Sequence, residues 1–201
     1  MFSFLPRATR AIIVANVVMY VLELLFPNQV IGRLALWPLG SPLFQPWQLI
    51  TYGFLHALDD IKHILFNMFA LFMFGRGLED LWGPRRFLVY YFAALLAAAV
   101  TQIVVSSFSA TSGYVVGASG GVFGILLAFA LYFPHQRLIL LFPPIPMPAW
   151  LFVTLYGLIE LGLGVFNKQV GVAHFAHLGG MLGGALVILY WRMTGREQRR
   201  A

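Results

Sequence analysis

The stretch from Phe87 to Val105, FLVYYFAALLAAAVTQIVV, decides the fold class of this chain. Its 19 residues contain no charged side chain. A helix needs roughly 17–25 predominantly apolar residues to cross a bilayer, so this stretch predicts a membrane span. The whole chain agrees, because 60% of its 201 residues are hydrophobic and only 10% are charged, which is too apolar for a soluble domain.

Five further apolar stretches of near-spanning length lie on either side of this one. They are Ala11–Phe26, Ile61–Leu78, Val115–Phe133, Ala149–Phe166 and Val172–Trp191. Together they predict an all-α polytopic membrane protein, a six-transmembrane-helix bundle that forms a single domain over residues 1–201. The connection over residues 27–60, called here the outer loop, is long and rich in Trp, Leu and Pro. That composition predicts a packed substructure at the membrane interface rather than a free linker.

The basic residues indicate membrane topology. The net charge is +6, but the basic residues are spread over short connections and the C-terminal tail instead of one face, so we expect no nucleic-acid partner. With the N-terminus in the cytoplasm, ten of the 13 basic residues lie inside, and Arg33, Lys62 and Lys168 lie outside. We therefore expect both termini to be cytoplasmic, and we expect a bacterial inner membrane as the host.

The chain has no cysteine, which excludes disulfides, a thiol nucleophile and a thiolate metal site. A zinc site built from the histidines is disfavoured, because there is no His-Glu-x-x-His spacing and no carboxylate is expected to complete three ligands. The sequence therefore predicts no metal and no organic cofactor.

Four polar residues are expected at one depth in the bundle. Ser119 is about five residues inside the fourth helix and His177 five to seven inside the sixth, roughly 8–10 Å from the outer end. His63 and Asn67 lie four residues apart on one face of the second helix. Polar residues at membrane depth must be satisfied inside the bundle or serve a water-filled site, so this coincidence predicts a functional site.

These residues suit acyl-transfer chemistry. Ser119 could attack a carbonyl carbon if His177 takes its proton. The developing oxyanion would be met by side-chain N–H groups of His63 and Asn67 and by the backbone N–H of Ser119 or Gly120. Taken singly, each residue also has a structural interpretation, since small residues serve helix packing and a lone intramembrane His or Asn often links helices.

We expect a Ser–His dyad rather than a triad, because no carboxylate is expected beside His177. Glu160 is expected deeper in the fifth helix. The remaining histidines are assigned to structure: His174 at the interface, His56 as a hydrogen-bonding residue of the outer loop, and His135 in a cytoplasmic connection.

Small residues predict close contact between the fourth and sixth helices. They recur every four positions, at Gly120, Gly124 and Ala128 and at Gly180 and Gly184. Gly184 lies seven positions after His177 and so almost directly below it, and its contact is expected to set the distance from His177 to Ser119.

Three segments also resemble the motifs of the rhomboid family of intramembrane serine proteases. Gly117-Ala118-Ser119-Gly120 resembles the family's Gly-x-Ser-Gly motif, and His63-Ile64-Leu65-Phe66-Asn67 resembles its His-x-x-x-Asn motif. The segment AHLGGMLGG over residues 176–184 is similar to the Ala-His-x-x-Gly-x-x-x-Gly signature of the sixth helix. The three segments stand in the family's order and cover essentially the whole chain.

The resemblance implies roles for single residues. Ser119 would be the nucleophile, His177 the base, and His63 and Asn67 oxyanion contributors, with Gly117 shaping the loop before the Ser. Glu79 would anchor the inner end of the second helix, and the fifth helix or its cap would gate substrate entry.

Two positions differ from well-known bacterial members. Phe123 stands where they have Tyr and can still stack on His177. Gln48 stands where they have Arg, after Trp47.

The function implied is a serine endopeptidase that cuts single-spanning membrane proteins near the outer interface of the lipid bilayer. Two other classes remain open. One is a rhomboid-like pseudoprotease that binds membrane clients without cleavage, although such proteins normally lack the Ser or the His. The other is a small transporter or channel, although the inner half of the bundle offers almost no polar residues to continue a permeation path.

Overall fold

Helices dominate the regular structure of the protein. The computed structural model describes residues 5–108, 113–139, 144–166 and 173–195. The α-helices in these ranges are α1 Arg7–Leu25, α2 Pro27–Leu34, α3 Gln48–Thr51, α4 Ile61–Ala70, α5 Arg76–Trp82, α6 Pro84–Phe108, α7 Ser119–Tyr132, α8 Ala149–Val165 and α9 His174–Met193. A 3₁₀ turn over Tyr52–Phe54 follows α3, and a π-helical turn over Leu71–Gly75 joins α4 to α5. Strands β1 Arg137–Ile139 and β2 Pro146–Pro148 pair antiparallel between α7 and α8.

Each predicted apolar stretch contains helix, but some bounds differ. The second continues through the π-helical turn to Trp82. The sixth is described from residue 173 onwards, so Val172 and Lys168 lie outside the described residues. Three of the described helices, α1, α6 and α9, are long and apolar enough to cross a membrane, whereas α7 and α8 are apolar but shorter. The apolar helices therefore indicate an integral membrane protein.

The fourth helix begins later than predicted. Ser119 is the first residue of α7, so the expectation that it lies about five residues inside a helix starting at Val115 is wrong. The preceding residues are extended because Val115 exchanges two backbone hydrogen bonds with Leu36, at 2.9 and 3.0 Å. Gly117 then donates its N–H to the carbonyl oxygen of Tyr52 and has φ +134°, a conformation that L side chains rarely adopt.

Helices α6, α7 and α9 pack backbone to backbone at the centre of the fold. A Cβ atom added at Gly180 of α9 would overlap the carbonyl oxygen of Gly120 on α7. A Cβ at Gly124 would lie 3.2 Å from the carbonyl oxygen of Gly180 and would overlap the side chain of Ala94 on α6. These contacts leave no room for side chains, so small residues set the distances between the three helices.

The predicted contact of Gly184 lies further from the Ser–His pair than that of Gly180. A Cβ at Gly184 would overlap the hydroxyl of Tyr90 and lie 3.4 Å from the Cα of Gly124. Gly184 therefore helps to seat α9 against α6 and α7 one turn below the tighter contact between Gly180 and Gly120.

The outer loop is held together around Gln48, which is fully buried. Its amide nitrogen donates to the carbonyl oxygens of Arg33 and Leu43, at 3.3 and 2.8 Å. Its amide oxygen accepts from the N–H groups of Trp37 and Gln45, at 3.3 and 3.1 Å. This uncharged side chain thus pairs with four backbone groups of the outer loop.

At the opposite end of the fold, Glu79 of α5 ties two helices together. Its carboxylate accepts from the backbone N–H groups of Ala8 and Thr9, at 2.8 and 2.7 Å, and from the hydroxyl of Thr9 at 2.8 Å. These N–H groups belong to the first turn of α1, where no intrahelical partner exists. The negative charge also lies favourably against the positive end of the α1 dipole.

The contact between Gly180 and Gly120 leads to a prediction about stability. Gly180→Ala should lower the free energy of unfolding in detergent by about 1–3 kcal/mol, because the new methyl group collides with the α7 backbone and overpacks the core. Gly32→Ala in α2 is the matched control, since a Cβ there meets nothing within 4 Å. Thermal unfolding of both purified variants measures the difference. Equal midpoints for Gly180→Ala and Gly32→Ala would contradict the proposed contact.

Candidate active site

The Ser and His at the centre of the site come from two helix starts. Ser119 opens α7, and His177 lies in the first turn of α9. The Nε2 atom of His177 lies 2.8 Å from the Oγ atom of Ser119, although the residues are 58 positions apart. The contact between Gly120 and Gly180, one and three positions further along these helices, brings the pair together. At this distance the imidazole can accept the proton of the hydroxyl.

A carboxylate also joins the pair, so the expectation that none lies beside His177 is wrong. Glu160 on α8 is 4% exposed, and its Oε2 atom lies 2.9 Å from Nδ1 of His177. The same oxygen lies 2.7 Å from Nδ1 of His174, which is 5% exposed and therefore buried. An Nδ1–H group that donates to Glu160 leaves Nε2 of His177 as the acceptor that faces Ser119.

The sequence contained a signal for Glu160 that depth counting missed. The prediction placed this residue deep in the fifth helix. Counted from the end of α8 at Val165, which is the outer end in the predicted topology, it is only five residues in, about 7.5 Å at 1.5 Å per residue, which is the depth expected for His177.

This finding also removes one premise of the argument against a metal site. Ligand atoms of Glu160, His174 and His177 all lie within 4.8 Å of one another. Two imidazoles and a carboxylate are a familiar ligand set for zinc. The 2.7 and 2.9 Å separations are hydrogen-bond distances, however, so hydrogen bonds account for both contacts.

His63 lies on the other side of Ser119, with its ring orientation set by the backbone. The N–H of Ala57 donates to its Nδ1 atom at 3.2 Å, which leaves Nε2 to carry the proton. A Cβ at Gly117 would lie 2.7 Å from His63 Nε2 and 3.4 Å from Ser119 Oγ. The Nε2–H group of His63 and the hydroxyl of Ser119 therefore border the same small space, which a side chain at position 117 would fill.

The segment that orients His63 is itself fixed by a buried carboxylate that sequence reasoning did not assign. Glu23, near the end of α1, is fully buried and accepts from the N–H of His56 at 2.9 Å. His56 is 1% exposed and its ring lies 5.1 Å from that of His63. A carboxylate inside an apolar stretch of the sequence was the available signal.

Asn67 lies one turn below His63 on the same face of α4. It is 6% exposed, and its side-chain N–H donates to the carbonyl oxygen of His63 at 2.8 Å. The amide has a second N–H that this bond does not use. Asn67, Ser119 and His177 all line one cavity.

The helix start of α7 contributes donors of its own. Since α7 begins at Ser119, the N–H groups of Ser119 and Gly120 are among the first four of the helix, which have no intrahelical acceptor. The helix dipole adds positive potential at this end. A developing negative charge beside Ser119 would thus be met by backbone donors as well as by His63.

The ring of His177 is held from its face as well as its edge. Phe123, four residues after Ser119, stacks on it at 4.3 Å between centroids with 7° between the planes. Phe123 in turn contacts Tyr156 of α8 at 4.9 Å. An aromatic face, a carboxylate and a hydroxyl therefore fix the imidazole in one orientation.

The cavity that reaches Ser119 has a polar end and an apolar side. Its polar end is lined by His56, Asp59, Asp60 and Lys62 in and after the outer loop. Further apolar lining comes from α4 and α8, namely Phe66, Phe69, Ala70, Phe152, Leu155 and Ile159. Such a groove can accept an apolar segment from the side while its polar end meets water.

Comparisons with known proteins point to one family. The family model described as the Rhomboid domain matches residues 43–194. Rhomboid protein 1, mitochondrial, of Saccharomyces cerevisiae is 30% identical over 154 residues, covering 76% of this chain and 44% of that protein. Rhomboid protease GluP of Bacillus subtilis is 29% identical over 138 residues, covering 69% and 24%. Rhomboid protease AarA of Providencia stuartii is 26% identical over 217 aligned positions, covering 96% and 75%. The chain thus spans less than half the length of the first two of these relatives.

The buried ring of His56 leads to a prediction about pH. Burial, and then the neighbouring imidazole of His63, lowers the pKa of His56 to about 3. Between this lowered pKa and the ordinary pKa of histidine, the unfolded chain therefore binds more protons than the folded protein. The contribution of His56 to the free energy of unfolding is therefore fully present above the ordinary pKa of histidine. It is lost as the pH falls below that value, by at most about 1.4 kcal/mol per pH unit.

Chemical unfolding between pH 7 and pH 5 tests this prediction. His56→Gln should show a shallower loss of stability with falling pH than the unmodified protein, whereas the exposed His135→Gln is the matched control. A slope for His56→Gln as steep as that of the unmodified protein would contradict the assignment.

Proposed function

The chain belongs to the rhomboid family, and on that premise we propose that it is an intramembrane serine endopeptidase that cuts single-spanning membrane proteins. The observation that carries the proposal is the 2.8 Å contact between His177 Nε2 and Ser119 Oγ, two residues that line a groove with an apolar side. Named relatives that are rhomboid proteases support it.

The first half of the reaction forms an acyl-enzyme. Ser119 Oγ attacks the scissile carbonyl carbon while His177 Nε2 takes the hydroxyl proton. The carbonyl oxygen becomes an oxyanion, which accepts hydrogen bonds from His63 Nε2–H, from Asn67 and from the backbone N–H groups at the start of α7. His177 then gives its proton to the leaving amine as the carbon–nitrogen bond breaks.

The second half repeats these roles with water. His177 takes a proton from a water molecule, whose oxygen attacks the acyl carbon, and the proton is returned to Ser119 Oγ as the ester bond breaks. Water can reach the site through the polar end of the cavity at the outer loop. The apolar side of the groove, between α4 and α8, suits a transmembrane segment that has unwound enough to expose a carbonyl group.

We also propose the topology that the charge bias favours. The domain would span residues 1–201 with six transmembrane helices, both termini in the cytoplasm and the outer loop on the far side. Cleavage would then occur near the outer interface. The continuous helix over residues 61–82 and the shorter apolar helices α7 and α8 would add to the three longer candidate spans.

The Ser–His pair yields the first activity prediction. Ser119→Ala and His177→Ala should each reduce cleavage of a transmembrane substrate in proteoliposomes to below about one hundredth of the original rate, because the two groups act as a unit. A serine-directed fluorophosphonate should label the unmodified protein at Ser119 and neither variant. Ser107→Ala, an exposed serine on α6, is the matched control. Substantial cleavage by Ser119→Ala would refute the nucleophile assignment.

The oxyanion donors yield a second prediction. Asn67→Ala should lower kcat by about 10²–10³ with little change in KM, as expected for the loss of one transition-state donor. His63→Ala should have a similar or milder effect, since water replaces a shallower residue more easily. Gln102→Ala, which removes an amide outside the groove, is the control. A loss confined to KM would move Asn67 from transition-state stabilisation to substrate binding.

A further inference from the structure

One buried charged group has no role in a two-residue mechanism. Glu160 lies at the depth of the Ser–His pair, with a side chain that is 6% exposed. Burying a carboxylate in a membrane protein is costly unless hydrogen bonds or charges compensate it. The donors found are the Nδ1 atoms of His174 and His177, both on α9 and both directed at the same oxygen.

We propose that Glu160 is a positioning residue for His177 and that His174 holds Glu160 in place. The site is then a chain of four side chains from three helices, in the order Ser119, His177, Glu160, His174. This proposal rests on the proposed function and deepens it. It departs from the dyad that both the sequence and the family resemblance lead one to expect.

The geometry gives Glu160 two effects on His177. Its bond to Nδ1 selects the tautomer in which Nε2 has a free lone pair toward Ser119 Oγ. Its negative charge also stabilises the imidazolium that forms when Nε2 takes the proton. Phe123 holds the ring face but can supply neither effect, because it has no polar atom.

His174 acts on the carboxylate rather than on the reacting atoms. Its Nδ1 lies 2.7 Å from the same Oε2 atom. The Glu160 side chain has several rotatable bonds, and a second donor, three residues before His177 in the first turn of α9, restricts its orientation. The close packing of α8 against α9 supports this arrangement, since a Cβ at Gly164 would lie 3.2 Å from the Cβ of His174.

The labelling rate of Ser119 by a fluorophosphonate tests the proposal, because this small probe reports nucleophile activation without requiring a protein substrate. Glu160→Gln keeps the shape of the side chain but removes its charge. It should slow labelling on the order of 10²-fold, with a similar loss in kcat and little change in KM. Glu160→Asp should recover part of the rate. Asp80→Asn, which neutralises an exposed carboxylate on α5, is the matched control.

A double-mutant cycle tests whether His174 acts through Glu160. His174→Leu alone should slow labelling by about 10-fold, and it should cost nothing further in the Glu160→Gln background, because residues in one network are not additive. Additive losses would show that His174 acts independently and would overturn this part of the proposal.

The outcomes separate this proposal from the function on which it rests. If the unmodified protein is not labelled at Ser119, the proposed protease function fails. If it is labelled and folded Glu160→Gln is labelled equally fast, only the positioning role fails. If Glu160→Gln does not purify as a folded species, His174→Leu decides, and an unchanged labelling rate in that variant overturns the proposal.

Discussion

The backbone contact between α7 and α9 is the constraint on which the rest of the structure depends. At Gly120 and Gly180 the two helices meet with no side chain between them. Ser119 and His177 lie one and three residues from this contact, so the spacing of the two helices determines the distance between Ser119 Oγ and His177 Nε2. On α6, alanine side chains lie directly against glycines of α7 and α9, so the third helix also packs closely. The site is therefore positioned by the absence of side chains, which is a common means of bringing membrane helices together.

Much of the fold could be predicted because lipid leaves the backbone few alternatives. An apolar stretch must satisfy its own N–H and C=O groups, so a helix in each of the six stretches followed from length and composition. The start of α7 did not follow from them. Val115 and Val116 look like the beginning of a helix in sequence, but Val115 pairs with Leu36 of the outer loop. That pairing joins segments 79 positions apart and has no local signature.

The candidate site was predicted only in part, and the reason is geometric. Ser119, His177 and His63 were recognised from their depth and are neighbours in the structure. Glu160 was missed because the fifth helix runs opposite to the fourth and sixth in the predicted topology, so its depth had to be counted from its C-terminal end. Glu23 was missed for a similar reason, since it lies near the C-terminal end of α1, which is the outer end in the predicted topology. In both cases a carboxylate within an apolar stretch indicated a buried partner before the partner could be named.

The π-helical turn between α4 and α5 has a consequence for how a single helix presents its faces. Asn67 and Glu79 are 12 positions apart, so an unbroken α-helix would turn their side chains about 120° away from each other. A π turn accommodates one extra residue, which leaves about eleven α-helical steps and reduces the angle to about 20°. Both polar side chains can then face the interior, one toward Ser119 and the other toward the start of α1. The extra residue thus brings Asn67 and Glu79 to the same face of the helix, which keeps both polar side chains away from lipid.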